Sequence, residues 1–263
     1  MHRAVAISPR DNSGMPRGDW RRRIHPTEVV GATVEGVGKG ANLVYGTVVG
    51  ESRVPLTIAV AAAIALQLLL PHSIVLIRER WLLPALQGAV LVALIVSNPF
   101  KIQRESPRIR ALGLLLLGAI AFNDIVGIVR MVDLLLNGNS TLSGNLSGTD
   151  LIRVAVVLWL TNILVFALAF FELDQGGPFR RRIGEGRADF QFPQQTDDLA
   201  EKWPNWRPTF LDYLYLSFTN STSFSPTDTM PLSQWAKMAM MLESAAALVT
   251  IGVIAARAVN ILQ

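Results

Sequence analysis

The 263-residue sequence contains no cysteine and only three histidines, His2, His25 and His72. The missing cysteine excludes disulfide bonds, thiolate catalysis and cysteine-based metal sites. The three histidines are too widely scattered to form a zinc site by spacing. No motif of a known enzyme class survives inspection. We therefore predict a protein that is not an enzyme and that has no metal centre and no cofactor, apart from a monovalent cation in a pore.

Charged residues are also scarce, at 17% of the sequence, whereas hydrophobic residues make up 51%. The hydrophobic residues occur in blocks about as long as the roughly 20 helical residues that cross a bilayer. Most Arg and Lys flank these blocks, which explains the net charge of +4 by membrane topology rather than by nucleic-acid binding. We predict an all-α, multi-pass protein of a cell membrane, with the lipid bilayer as its surroundings and no nucleic-acid partner.

The hydrophobic blocks predict five transmembrane helices, at residues 54–77, 81–98, 111–136, 151–173 and 233–262. Pro71 is expected to kink the first helix or to end it early. The organisation is then a polar, basic, glycine-rich arm (1–53), a three-helix region (54–150) and a two-helix region (151–263). The last of these contains a long polar insertion, residues 174–208.

Residues 209–231, just before the last predicted span, are dense in serine and threonine. Aromatic and aliphatic residues at helical spacing predict a short helix over 208–220, with Thr209 as its N-cap and Asp212 three residues on. At about 1.5 Å per residue this helix is too short to cross a bilayer. We predict that the segment enters the membrane part-way and returns, with its hydroxyl groups facing a water-filled cavity.

The order of short helix, polar turn, Asp, Pro and full span resembles the pore domain of tetrameric potassium channels. Those pores read S-x-x-T-x-T-T-V-G-Y-G-D-x-x-P, and this chain reads S-F-T-N-S-T-S-F-S-P-T-D-T-M-P from Ser217 to Pro231. The resemblance implies a homotetramer with 209–222 as its pore helix. It also places the pore and filter candidates at seven consecutive residues: Thr222, Ser223, Phe224, Ser225, Pro226, Thr227 and Asp228.

Both filter glycines of those channels are replaced here, by Ser225 and Thr227. Glycine permits backbone angles that other residues resist, and Pro226 fixes φ and removes an N–H group. The resemblance therefore implies a monovalent-cation channel of low or altered selectivity, in which side-chain oxygens including that of Asp228 matter. An alternative is a simple turn before the last span, in a non-conducting scaffold or partner-binding subunit that retains the pore-loop shape.

Residues 80–263 also resemble a group of uncharacterised bacterial membrane proteins. The shared marks are ELDQGGP at 172–178 and an ending of the form FSPTDTMPLS…WAK…ARAVNIL. This second resemblance implies a bacterial inner-membrane protein and supplies no activity.

Five polar residues inside the predicted spans are further candidates: Asp124, Arg130, Asp133, Asn162 and Glu243. Ionisable residues in a span are expected to be paired or functional. Arg130 and Asp133 are three apart and can pair on one helix face. Glu243 either lines a pore or pairs with a neighbour such as Asn162. A transporter would instead use a cavity near Asp124, Asn162 and Glu243.

The distribution of positive charge predicts the orientation. Segments 1–53, 99–110 and 174–208 hold three quarters of the 24 Arg and Lys residues, which places the N-terminus in the cytoplasm. Five spans then put the C-terminus outside, and residues 209–231 enter from the cytoplasmic side. Potassium channels have the opposite arrangement, whereas glutamate-gated channels resemble an inverted pore.

Overall fold

The computed structural model describes residues 54–75, 79–97, 107–137, 148–184, 186–222 and 228–261. These residues form eight α-helices: α1 Val54–Gln67, α2 Leu82–Ser97, α3 Pro107–Asn137, α4 Gly148–Leu173, α5 Pro178–Ile183, α6 Asp197–Ala200, α7 Phe210–Thr222 and α8 Gln234–Ile261. They also include two 3₁₀ turns, Asp174–Gly176 and Pro193–Gln195, and two short antiparallel strands, β1 Phe190–Gln191 and β2 Met230–Pro231. The predictions for the arm 1–53 and for filter positions 223–227 lie outside the described residues.

Three helices are long and apolar enough to cross a membrane, over Pro107–Leu136, Thr149–Gly176 and Gln234–Ala256. The prediction of an all-α fold with helices of membrane-spanning length is confirmed at this level. Helices α1 and α2 are apolar but shorter, at 14 and 16 residues. Helix α1 ends at Gln67 because the ring of Pro71 would clash with the carbonyl group four residues earlier.

Helix α4 is the central helix of the bundle. In its most apolar stretch 67% of the residues are buried, against 33% in α3 and 22% in α8. Helices α1, α3, α7 and α8 all pack against it. The outer faces of α3 and α8 carry exposed apolar side chains such as Val129, Met241 and Leu248. Those faces therefore suit contact with lipid or with another copy of the chain.

The polar insertion folds against the carboxyl end of α4 through an aromatic cluster. The ring of Tyr213 on α7 lies 5.7 Å from that of Phe171 and 5.3 Å from that of Phe192, both nearly perpendicular to it. The ring of Phe190 contacts Trp235 of α8 at 5.9 Å. Edge-to-face pairs of this kind add to the stabilisation from burial. One cluster thus joins α4, the insertion, α7 and the start of α8.

Helix α7 begins at the carboxyl end of α4 and reaches towards its middle. Phe210, at its start, packs on Phe171 with ring centroids 5.9 Å apart. Phe218, near its end, lies 6.3 Å from Trp159, which is 12 residues or about 18 Å further back along α4. The strand residue Pro231 is paired with Phe190 of β1. The chain has therefore returned to the carboxyl end of α4 before α8 begins.

Candidate functional site

Glu243 of α8 is the centre of a buried hydrogen-bonded group where α4, α7 and α8 meet. Its side chain is 0% exposed. One carboxylate oxygen, Oε1, contacts the hydroxyl groups of Ser217 and of Ser221, the latter at 3.0 Å. The other oxygen, Oε2, accepts from the amide of Asn220 at 2.7 Å. All three partners belong to α7, so the carboxyl group of Glu243 fastens α7 to α8.

The helical repeat explains why three residues of α7 reach one carboxyl group. Ser217, Asn220 and Ser221 lie at positions i, i+3 and i+4, which form one stripe on a helix. The opposite face of α7 is apolar and exposed, as Leu211 and Tyr215 show with 64% and 57% exposure. The stripe was not recognised from the sequence as the partner of Glu243. A polar stripe of this spacing beside a single acidic residue in the next span is the signal that could have revealed it.

Further hydrogen bonds hold the same group to α4. The hydroxyl oxygen of Ser217 lies 2.8 Å from the carbonyl oxygen of Ile163. The amide of Asn162 donates to the main-chain carbonyl of Glu243 at 3.3 Å. The two residues predicted as a pair, Asn162 and Glu243, are thus in contact. The contact of Asn162 is with the main-chain carbonyl of Glu243 and not with its carboxyl group. The side chain of Glu243 is buried within the chain and bonded to α7, which favours the alternative in which it pairs with neighbouring side chains.

The donors that surround the carboxyl group of Glu243 among the described residues are neutral. Among the described residues no Lys or Arg forms an ion pair with Glu243. The hydrogen bonds of Glu243 therefore have a structural role, because they fix the carboxyl end of α7, immediately before the predicted filter. Thr222, the last residue of α7, donates its hydroxyl to the carbonyl of Phe218 at 2.8 Å. Asp228, on the far side of the filter positions, has an exposed side chain.

The polar residues of α3 do not gather at Glu243. Asp124 is buried, at 4% exposure, next to Asn123, which hydrogen-bonds to Gln67 of α1. Arg130 donates to the main-chain carbonyl of Val75, so its contact is with the segment after α1. Asp133 has an exposed side chain. The cavity that a transporter would form from Asp124, Asn162 and Glu243 thus finds no support in these contacts.

A second buried group, not predicted from the sequence, holds the insertion to α4. Asp174 is 0% exposed and accepts from the main-chain N–H of Asp189 at 2.9 Å and from the hydroxyl of Tyr213. The guanidinium of Arg181 lies 3.9 Å from Asp174 and stacks over the ring of Tyr213 at 5.0 Å. The carboxylate of Asp189 in turn accepts from the indole N–H of Trp235 at 2.7 Å. The motif ELDQGGP is therefore a structural anchor.

Two glycines in that motif reverse the chain so that Arg181 can return to Asp174. Gly176 and Gly177 have φ angles of 76° and 111°, which residues with a side chain rarely adopt. Within the described residues no three His, Cys, Asp or Glu side chains come together as a metal site would require. Comparison of the chain with protein-family models, with curated proteins and with solved structures finds no match.

Proposed function

We propose that the chain is a pore-loop membrane protein that passes small monovalent cations, with α7 as its pore helix. The supporting observation is where residues 210–222 and 228–231 lie against α4. Helix α7 runs about half the length of α4, and Pro231 is back beside Phe190 at the end where α7 began. A segment that enters and leaves on one side of the membrane follows this course.

The surroundings of α7 support a position at membrane depth. It lies between α4 and α8, both long enough to cross a bilayer. A groove of about 760 Å³ between α1, α4 and α7 is lined almost wholly by apolar side chains, including Leu66, Leu160 and Phe218. Non-helical backbone at such depth is tolerated where it is covered by protein or lines a water-filled cavity. The sequence SFSPTD after α7 supplies hydroxyl groups and a carboxylate for the second case.

The direction of α7 favours cations. Its carboxyl end points into the bundle, and the carboxyl end of a helix carries a partial negative charge from its free carbonyl groups. Low dielectric surroundings strengthen this interaction relative to water. Several copies of α7 around one axis would therefore attract a cation to the space between their carboxyl ends.

An axial pore requires several copies, because one chain supplies a single pore helix. The apolar outer face of α8 supports a homotetramer, with Met238, Met241 and Leu242 all more than half exposed. In this arrangement the filter candidates 223–228 of each copy face the axis. The Glu243 group then lies behind them and sets the position of α7.

A non-conducting subunit that retains the pore-loop shape is the second candidate. It is favoured by the same hydrogen bonds, because Ser217, Asn220 and Ser221 are all engaged within the chain. The hydroxyl of Thr219 likewise donates to the carbonyl of Tyr215 at 2.8 Å. These side chains are therefore not available to an ion on a central axis.

Flux through the purified full chain in liposomes separates the two candidates. The channel proposal expects K⁺ and Na⁺ to pass, with flux lowered in Asp228→Ala. Asp150→Ala, at a partly exposed position near the start of α4, serves as the matched control and should conduct like the wild type. Vesicles that leak no faster than empty ones, together with a monomer by light scattering in detergent, would overturn the channel proposal and leave the scaffold.

A further inference from the structure

A separate group of buried polar side chains lies in helices α1, α2 and α3. Gln67, Gln87, Asn123 and Asp124 are only 1%, 2%, 3% and 4% exposed. The amide of Asn123 donates to Oε1 of Gln67 at 3.0 Å, which ties α3 to α1. Apart from the charged residues towards the two ends of α3, the remainder of these helices is largely apolar. Polar groups buried in such surroundings cost free energy unless they find partners.

The directions of the three helices place these side chains at one depth. Helices α1 and α3 run in the same direction. Gln67 of α1 contacts Asn123 of α3, and further along the sequence Ile74, in the segment after α1, lies against Gly127 of α3. Helix α2 runs back, because it begins seven residues after Val75, at the end where α1 has finished.

One hydrophobic cluster draws on all three helices, including Ile64 of α1, Val90 of α2 and Ile120 of α3. In each helix a buried polar residue lies three positions from its cluster member: Gln67, Gln87 and Asn123. Gln67 and Asn123 follow their cluster members in the sequence, whereas Gln87 precedes its own. This order is expected, because α2 runs in the opposite direction to α1 and α3. The three polar side chains therefore lie about one helical turn beyond the hydrophobic cluster, all towards the same end of the three helices. Asp124 lies beside Asn123.

Several atoms of this group are buried without a hydrogen-bond partner among the described residues: Gln67 Nε2, Gln87 Nε2, Gln87 Oε1, Asn123 Oδ1 and Asp124 Oδ1. Three of the atoms are oxygens from amide or carboxyl groups. Asp124 forms no ion pair with a Lys or Arg in the described ranges. A buried carboxylate without a counter-ion is strongly unfavourable, so Asp124 in its ionised form needs a ligand that oxygen atoms can coordinate and that brings positive charge.

We propose that Gln87, Asn123 and Asp124 bind a small monovalent cation of the sodium class between α1, α2 and α3. Amide and carboxylate oxygens are the ligands that hard cations prefer. The single carboxylate balances one positive charge, whereas a divalent ion would leave an excess charge buried. Gln67 acts as a positioning residue, because its hydrogen bond orients the amide of Asn123. This site lies on other helices than the proposed pore and does not depend on conduction.

Thermal unfolding of the full chain in detergent tests the site. A ligand that binds only the folded state raises Tm as its concentration exceeds Kd. Tm is expected to rise with NaCl and not with choline chloride at the same ionic strength. Asp124→Asn should abolish the rise. Asp133→Asn, at an exposed position of the same helix, should retain it, and so should Asp228→Ala, which separates this site from the pore.

Equal Tm of the wild type in both salts would overturn the proposal, as a group filled by water alone would behave in this way. A sodium-dependent rise that persists in Asp124→Asn would also overturn it. Should Asp124→Asn fail to fold, Gln87→Leu removes one ligand without changing charge. Equilibrium binding of radioactive Na⁺ should then show affinity weakened on the order of tenfold or more relative to wild type; unchanged affinity would contradict the assignment.

Discussion

Ser217 on α7 and Glu243 on α8 share a hydrogen bond in the interior of the protein, and both side chains are 0% exposed. This contact joins the hydroxyl-rich stretch before the last span to that span itself. It also shows that some hydroxyl groups of the stretch serve to dock a helix. Ser217 and Ser221, which are buried and bonded to Glu243, are therefore not candidates for facing a water-filled space.

Replacing Glu243 by alanine should destabilise the protein markedly. The change leaves Ser217, Asn220 and Ser221 without their common acceptor and opens a cavity between α7 and α8. Loss of a buried acceptor shared by several donors is expected to cost on the order of 3 kcal/mol. For a chain of this size that corresponds to a Tm lower by roughly 6–12 °C in detergent.

Glu243→Gln is the matched control for that prediction. Glutamine has nearly the same shape, and its amide can accept from Asn220 while it donates to a serine hydroxyl oxygen. We expect a loss of about 1 kcal/mol or less. Equal losses in Glu243→Ala and Glu243→Gln would show that the hydrogen bonds around Glu243 contribute little.

The ion pair of Asp174 with Arg181 should be far more important than that of Asp150 with Arg153. Both side chains of the first pair are at most 5% exposed, whereas those of Asp150 and Arg153 are 39% and 71% exposed. Asp174→Ala leaves a buried guanidinium without its carboxylate, at an expected cost of about 3–5 kcal/mol. Asp150→Ala should cost about 0–1 kcal/mol. Thermal unfolding of the two variants side by side provides the measurement, and similar losses would contradict it.

A side chain added at Gly127 on α3 should destabilise the protein. A Cβ atom there would lie 2.7 Å from Cδ2 of Leu158, whose side chain is itself buried on α4. Gly127→Ala is therefore expected to destabilise by about 1–3 kcal/mol. Gly118→Ala, on the same helix with no atom within 4 Å of the added methyl group, should stabilise by up to about 1 kcal/mol through helix propensity. The opposite order of Tm values would refute this packing.

Single cysteines can establish the orientation, because the chain has none of its own. Thr149, at the start of α4, and Glu201, in the insertion beyond its other end, are both exposed. The positive charge of residues 174–208 predicts that the insertion is cytoplasmic. An impermeant maleimide should therefore label Thr149→Cys in intact cells and Glu201→Cys only after permeabilisation. The reverse pattern would place the N-terminus outside and restore the potassium-channel orientation.

Helix positions could be predicted from the sequence because they depend on local patterns. The prediction of 208–220 for the short helix differs by two residues at each end from α7, and that of 233–262 for the last span differs by one residue at each end from α8. The length of an apolar run, the helical spacing of its residues and the termination of helices by proline suffice for such assignments. The length predicted for the first span, residues 54–77, is too great, because α1 ends at Gln67 and the chain then turns.

Partners across helices could not be predicted, because they depend on how each helix is rotated and how far it is shifted against its neighbours. The sequence singled out Glu243, Asp124 and Arg130 as polar residues in spans. Tertiary structure alone paired Glu243 with residues 22 to 26 positions earlier and Arg130 with a carbonyl 55 positions away. The sequence by itself thus determined a helical protein with apolar helices of membrane-spanning length and a short helix before the last of them. Tertiary packing decided which of its polar groups are buried together, since burial makes an unpaired polar group costly and so selects the arrangement that pairs most of them.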